Sequence, residues 1–562
     1  MAPEYDFIIV GGGTSGSLLA SRLSRSLPHL TILLLDAGGP NDDVSLQSFA
    51  ERHTTMMTPG YNRGYRTVPQ PELKGREIDY SRGTGLGGSS AINFCVWTRG
   101  PRDDWEHWDR LVGGEGTWGW EEVLRRFRKS ERFHPPDKEL EPYIRCDDDK
   151  HGYEGEIDVG MTAKWDPTFG DFLHKITSYC PQNYDHNSGN PLGIAVCQQS
   201  THNGQRVTAA GAYLQDPPEN LHIRMNATVT KVLFEDKRAI GVEVDRKKIT
   251  ARKEIILSAG AIDTPKLLLL SGVGPPSHLS HHGMPLVHAL PGIGQKLHDR
   301  LFAYLVSIQK PTASHHRTSY PTVMTPEKLM SARKQWATDQ TGALASYNMP
   351  QMIGFIRSST ILAGEEFEKL GKESKSGLSG ETKPTYEIMS QAPHPSVAAP
   401  RLYLATAVAF HGTESSTGSV TLSSSNPTDA PLIDPNFLAH PFDRHLAINA
   451  VREAMELLET PELAEDVVRL AEGPGGKGDE EILEYIRSMA ASMWHPCSTV
   501  TMGNPDNPDT CVDINFRVLG IKGLRVVDMS VAPFLPSAHT QAIAYVIAET
   551  ASEKMVGEYI QG

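Results

Sequence analysis

The stretch Tyr5–Asp36 decides how this chain is read: YDFIIV at 5–10, GGGTSG at 11–16, SLLASRLSRSLPHL at 17–30 and TILLLD at 31–36. The apolar run Phe7–Val10 predicts a buried strand, and Leu18, Leu19, Leu23 and Leu27 then recur at helical spacing. A second apolar run, Ile32–Leu35, ends on Asp36, twenty positions past Gly16. Each part has a task in a dinucleotide site. Gly11 makes the tight turn, Gly13 admits a pyrophosphate close to the backbone, and Gly16 lets helix and strand pack closely. The helix N-terminus, at Thr14 and Ser15, offers free N–H groups and positive dipole to phosphate. Asp36, followed by Ala37, is placed to accept hydrogen bonds from a ribose. The fingerprint does not separate NAD from FAD, and the bland reading is a tight turn in some other α/β protein.

Outward from that unit, 562 residues are enough for more than one domain and a substantial core. The formal charge of −14 argues against nucleic acid or an anionic membrane as partner. No apolar run approaches the roughly 20 residues of a membrane span. A strand beginning near Tyr5 leaves no room for a signal peptide. Six cysteines scattered without C-x-x-C spacing suit free thiols in a reducing compartment, so the expected location is the cytoplasm. The single sequon, Asn226-Ala227-Thr228, is expected within a strand. No metal site is expected: His281/His282 and His315/His316 are adjacent pairs, without H-x-x-x-H spacing.

Arg82–Ser90 is glycine-dense (Gly83, Gly85, Gly87, Gly88, then Ser89 and Ser90) and runs into an apolar segment, a pattern suited to wrapping a flat polar ligand. Trp105, Trp108, Trp118 and Trp120 read as core ahead of an amphipathic helix over 121–133. Glu254–Gly260 reads as a buried strand feeding a helix with Pro265 near its start. The charged, Gly/Ser-rich run Glu365–Lys383 predicts an exposed mobile loop. Strands are expected at 401–411 and 418–422, and helices at 441–458 and 479–489.

Four stretches then resemble the glucose–methanol–choline (GMC) flavin oxidoreductases. They are the N-terminal fingerprint; Arg82-Gly-Thr-Gly-Leu-Gly-Gly-Ser-Ser-Ala-Ile-Asn93; Gly260-Ala-Ile-Asp-Thr-Pro-Lys-Leu-Leu-Leu-Leu-Ser-Gly-Val-Gly274; and the C-terminal His495-Pro-Cys-Ser, Gly523–Pro533 and Ala538-His-Thr-Gln541. The last is most similar to aryl-alcohol oxidase-like fungal members. The resemblance implies an α/β (overall α+β) fold: a Rossmann-like FAD-binding domain and a substrate domain built on an antiparallel sheet covered by helices. The FAD domain would comprise residues 1–155, 201–305 and 490–562, and the substrate domain 156–200 and 306–489.

It also implies bound FAD, and an oxidase or dehydrogenase acting on a small primary or secondary alcohol, aromatic ones included, with O2 or a quinone-like molecule as acceptor. His495 matches the family's catalytic histidine, and imidazole is suited to taking an alcohol proton near neutrality. His539 matches the family's second His/Asn position. Implied cofactor contacts are Gly11, Gly13, Thr14, Ser15, Gly16, Asp36, Ala37, Arg82, Gly87, Gly88, Ser89, Asn93, Val229, Asp528, His539, Thr540 and Gln541. No histidine occurs between Gly83 and Thr98, so the covalent histidyl linkage of some members is not expected. One departure is Gly294-Gln-Lys-Leu-His-Asp-Arg300, where relatives commonly read G-x-N-L-x-D-H. The alternative activity is that of redox-neutral members, a lyase or a polyketide cyclase, which retain FAD.

Overall fold

The computed structural model describes residues 4–48, 51–136, 141–147, 149–161, 169–310, 313, 326–342, 344, 352–391, 403–411 and 416–560. His315 and His316 lie outside them.

The opening stretch folds as β1 (Glu4–Val10), α1 (Thr14–Ser26) and β2 (Ile32–Leu35). Phe7, Ile8 and Ile9 have no exposed surface, because β1 lies between two parallel neighbours in a mixed sheet covered on both faces. β3 (Leu221–Arg224), β4 (Val229–Glu235), β5 (Arg238–Val244), β6 (Lys247–Leu257) and β13 (Leu524–Val526) complete this sheet. Its order is β3-β2-β1-β6-β5-β4, with β13 also on β6. β6 is long enough to serve two partners along one edge. Residues 247–250 pair antiparallel with β5, and 255–257 pair parallel with β13.

The second sheet is antiparallel: β7 (Leu301–Gln309), β8 (Met352–Ile356), β9 (Tyr386–Gln391), β10 (Tyr403–Phe410), β11 (Val467–Glu472) and β12 (Ala491–Ser492). Its order is β8-β9-β10-β7-β11, with β12 on the other part of that β7 edge. Its register fixes the site. Phe302 opposes Ala409, which opposes Glu387. Leu301 opposes Ser492. Asp299–Arg300, His411, Glu387 and Trp494–His495 are thereby gathered at one end of the sheet. α5 (Pro441–Leu458) and α6 (Asp479–Met489) pack on this sheet and on each other, matching the helices expected there.

The tryptophans form the expected core between α2 (Arg102–Val112) and α3 (Trp120–Ser130), with Trp108 stacked on Trp118 at 4.7 Å and on Trp105 at 5.4 Å. The helix expected over 121–133 ends at Ser130, and Glu131–Phe133 becomes a short strand paired with Ile157–Val159. The run expected to be a mobile loop contains helices Glu365–Glu368 and Lys372–Leu378. Its few apolar residues, Phe367, Leu370 and Leu378, are buried. Lys383 makes a fully buried ion pair with Asp104 at 2.9 Å. The charges in that run cover a docked segment. The sequon is also outside any strand: Asn226 sits in the turn before β4 with a left-handed φ of 51°.

α4 (Gly260–Leu270) carries Pro265 inside it, at its sixth residue. Proline has no N–H, so the Ala261 carbonyl loses its helical donor. The Thr499 hydroxyl donates to that carbonyl at 2.7 Å, tying α4 to the segment that follows His495.

Candidate active site

One cavity of about 640 Å³ runs from the turn of the opening unit to the end of the antiparallel sheet. Gly11, Gly13, Thr14, Ser15, Asp36, Ala37 and Val229 line one end, and Met493, Trp494, His495 and His539 the other. Arg82, Gly88, Ser89, Asn93, Asp528, Thr540 and Gln541 also line it. Gly16 and Gly87 stand behind the wall. A Cβ on Gly16 would lie 1.9 Å from the Gly11 carbonyl oxygen, so Gly16 is there for packing.

The walls suit a dinucleotide. α1 has no side-chain cap and no acid in its first turn, so its N-terminal dipole is left for an anion. A Cβ on Gly13 would meet only the Gly88 Cα, at 3.8 Å, so backbone faces the ligand space directly. The Asp36 carboxylate is held in place by the N–H groups of Gly12 and Gly38, both at 2.8 Å. Gln541 Oε1 accepts from Asn93 Nδ2 (2.9 Å) and Ser200 Oγ (3.0 Å), while its Nε2 is buried without a partner. That amide could donate to an acceptor in the cavity that Gln541 lines. Asp528 is committed to the protein: it accepts from Gly260 N, Thr264 Oγ1 and Ser530 N. It anchors α4 against the C-terminal segment.

At the far end the His495 and His539 rings lie 4.9 Å apart at 75°. His495 follows Trp494, which has a left-handed φ of 57°. The unusual backbone is held by the Arg82 guanidinium on the Trp494 carbonyl (2.5 Å) and by Asp299, which accepts from the His495 N–H (2.9 Å) and the Ser492 hydroxyl (2.6 Å). Burial, then the neighbouring His539 and the Arg300 guanidinium, push the His495 imidazole well below its ordinary pKa. It is a neutral ring, able to accept a proton, and its Nδ1 is buried without a partner.

The site contains residues the sequence did not single out. Glu387, fully buried, places one carboxylate oxygen 3.0 Å from His539 Nε2 and the other 3.2 Å from His411 Nε2. Burial alone would raise its pKa, but the His539 and His411 contacts override this and hold it below the usual carboxylate range. The available signal was a lone acid on a strand face shared with Met389.

A second group of ionisable residues lies elsewhere. Cys146, His151 and Asp185 could geometrically hold a metal, the sole such group among the described residues. His151 already bonds Glu131 and Asp185, with Arg99 beside it. Two bases and two acids balance one another there, which leaves no surplus negative charge for a cation.

Models of the GMC oxidoreductase N-terminal and C-terminal regions match residues 5–302 and 414–548. The chain belongs to the GMC oxidoreductase family. It is 33% identical to an alcohol dehydrogenase [acceptor] of Pseudomonas putida, over 98% of this chain and 96% of that protein. Among solved structures, the formate oxidase of Aspergillus oryzae RIB40 superposes with a TM-score of 0.88 at 25% identity, over 100% and 99% of the two chains. A fungal aryl-alcohol oxidase superposes at 0.85 and 24% identity over the full length of both, a likeness of fold. The GMC chain is thus a flavoprotein oxidoreductase that binds FAD and acts on CH–OH donors. Among the described residues no helix is long and apolar enough to cross a membrane.

Proposed function

We propose that this GMC protein oxidises a primary or secondary alcohol with an apolar, aliphatic or aromatic, body, using His495 as the general base. FAD, when bound, supplies the two-electron oxidant for the alcohol carbon. The observation that carries the reading is the neutral, buried His495 ring beside His539 at the apolar end of the cavity. His495 takes the hydroxyl proton. His539, braced by the Glu387 carboxylate, binds the alcohol oxygen and shares the proton. Phe94, Met493 and Trp494 line this end, with Phe94 stacked on Trp494 at 6.1 Å. These walls exclude water and favour an apolar substrate. Asp36, the α1 N-terminus, Asn93 and Gln541 hold the cofactor without a covalent histidyl link. O2 or a quinone-like molecule then receives the electrons.

The test is anaerobic mixing of the yellow holoenzyme with aliphatic and aryl alcohols, following loss of flavin absorbance. His495→Ala is expected to slow that bleaching about a hundredfold or more. A rate near wild type would assign the base elsewhere. Turnover without bleaching by any alcohol would favour redox-neutral chemistry.

A further inference from the structure

Beyond the two histidines, the geometry points to Arg300 and His411 as positioning residues. The Arg300 guanidinium, set against the His411 ring, keeps that ring from taking a second proton and thereby reserves the Glu387 charge for His539. This rests on the reading of His539 as a participant in alcohol oxidation.

A carboxylate only accepts, so His411 Nε2, 3.2 Å from Glu387, carries a proton. Arg300 Nη1 lies 3.0 Å from His411 Nδ1 and 3.1 Å from Nε2. A donor nearly equidistant from both ring nitrogens stands over the imidazole, off either lone-pair direction, so what Arg300 brings is a buried positive charge that disfavours a second proton on the ring and leaves Nδ1 bare. His411 is then a neutral Nε2–H imidazole. The other Glu387 oxygen accepts from His539 Nε2 at 3.0 Å, which leaves His539 Nδ1 for the cavity its ring lines. Arg300 itself is anchored by donation from its other terminal nitrogen to the Pro536 carbonyl, three residues before His539. The register of the sheet makes this possible, since Arg300 and His411 immediately flank the Phe302–Ala409–Glu387 row.

One carboxylate cannot fully serve two imidazolium ions. If His411 gained a second proton it would claim the Glu387 charge, and His539 would lose its support as it takes on positive charge. Burial, then the Arg300 charge, hold the His411 pKa down to about 3 and prevent this. The other charged or titratable groups nearby are His186 and Cys197, which feel Glu387, and Asp299, Asp104 and Cys497, which feel Arg300. Arg300 replaces the histidine that relatives commonly carry there, and a neutral histidine would bring no fixed positive charge against the ring.

The test compares Arg300→Met, Arg300→Lys and Arg300→Met/His411→Asn holoenzymes with wild type. In Arg300→Met the rate constant for alcohol-driven flavin bleaching should fall about tenfold or more below pH 6. A new ionisation should appear between about pH 5 and 8, where an unperturbed histidine titrates. Arg300→Lys, still a donor-only cation, should lack that ionisation, and so should the double variant, which has no titrating group at 411.

A second readout needs no substrate. In wild type, His411 refuses a proton that the unfolded chain accepts, so stability is lost as pH falls below about 6.5. The drop in Tm between pH 7.5 and 5 should therefore be smaller in Arg300→Met. If Arg300→Met fails to accumulate, Arg300→Gln serves in its place. A wild-type pH profile together with a wild-type Tm drop in the variant would overturn the inference. If no alcohol bleaches the wild-type flavin, the proposed function falls, and the Tm comparison still decides the role of Arg300.

Discussion

Replacing Gly88 by alanine tests how the cofactor end of the cavity is built. Gly88 has a φ of 51°, and a Cβ there would lie 2.8 Å from the Gly13 Cα. That is about 0.7 Å inside the near edge of ordinary carbon–carbon contact. Neither partner is a side-chain tip that can swing away, because Gly13 is backbone at the N-cap of α1. The left-handed conformation costs an alanine about 1 kcal/mol, and forced overpacking adds about 1–3 kcal/mol. The total, about 2–4 kcal/mol, falls on the glycine-rich segment proposed to lie along the cofactor.

Gly88→Ala is therefore expected to lose FAD as well as stability. The assay is the ratio of flavin to protein absorbance after purification, followed by thermal unfolding with and without added FAD. Gly39→Ala is the control, since a Cβ there meets nothing within 4 Å. A Gly88→Ala protein with full flavin content and wild-type Tm would refute the close-approach reasoning, whatever the control does.

Two further outcomes follow from the packing. Thr499→Val strands the Ala261 carbonyl inside α4 and should destabilise by about 1–3 kcal/mol in chemical denaturation. The penalty should shrink in a Pro265→Ala background, where the helix supplies its own donor, and an unchanged penalty would rule out this pairing. Glu553 ties α7 (Thr540–Tyr559) to α3 through Arg125 and Arg126. Burial would raise its pKa, but those arginines bring it down to about 2. Its stabilisation is present above the unfolded pKa near 4.5 and is lost as pH falls towards 2. Glu553→Gln should thus be less stable than wild type at pH 7 and approach it near pH 3. A deficit of equal size at both pH values would contradict the assignment.

Local rules carried the cofactor end. Gly11, Gly13, Gly16 and Asp36 belong to one strand–turn–helix–strand unit, so spacing alone located the turn at one end of the cavity. The helices at 441–458 and 479–489 were legible for the same reason, through apolar periodicity. The run 365–383 misled because composition reports solvation of a surface. It does not report whether a few apolar residues, here Phe367, Leu370 and Leu378, find a surface to dock against.

At the reacting end the division is sharper. The resemblance pointed to His495 and His539, but Glu387 was marked only as a lone acid on a strand face, and Arg300 only as a departure from a motif. Their juxtaposition is a property of sheet register: Phe302, Ala409 and Glu387 come from three strands whose pairing no local pattern encodes. The sequence by itself determined the strand–turn–helix–strand unit, because the Gly11 and Gly12 N–H groups find their acceptors, the Leu35 carbonyl and the Asp36 carboxylate, within about thirty residues of chain. Only the tertiary structure decided which buried charges surround the two histidines, because a carboxylate, an imidazole and a guanidinium act on one another through distances that long-range pairing alone creates.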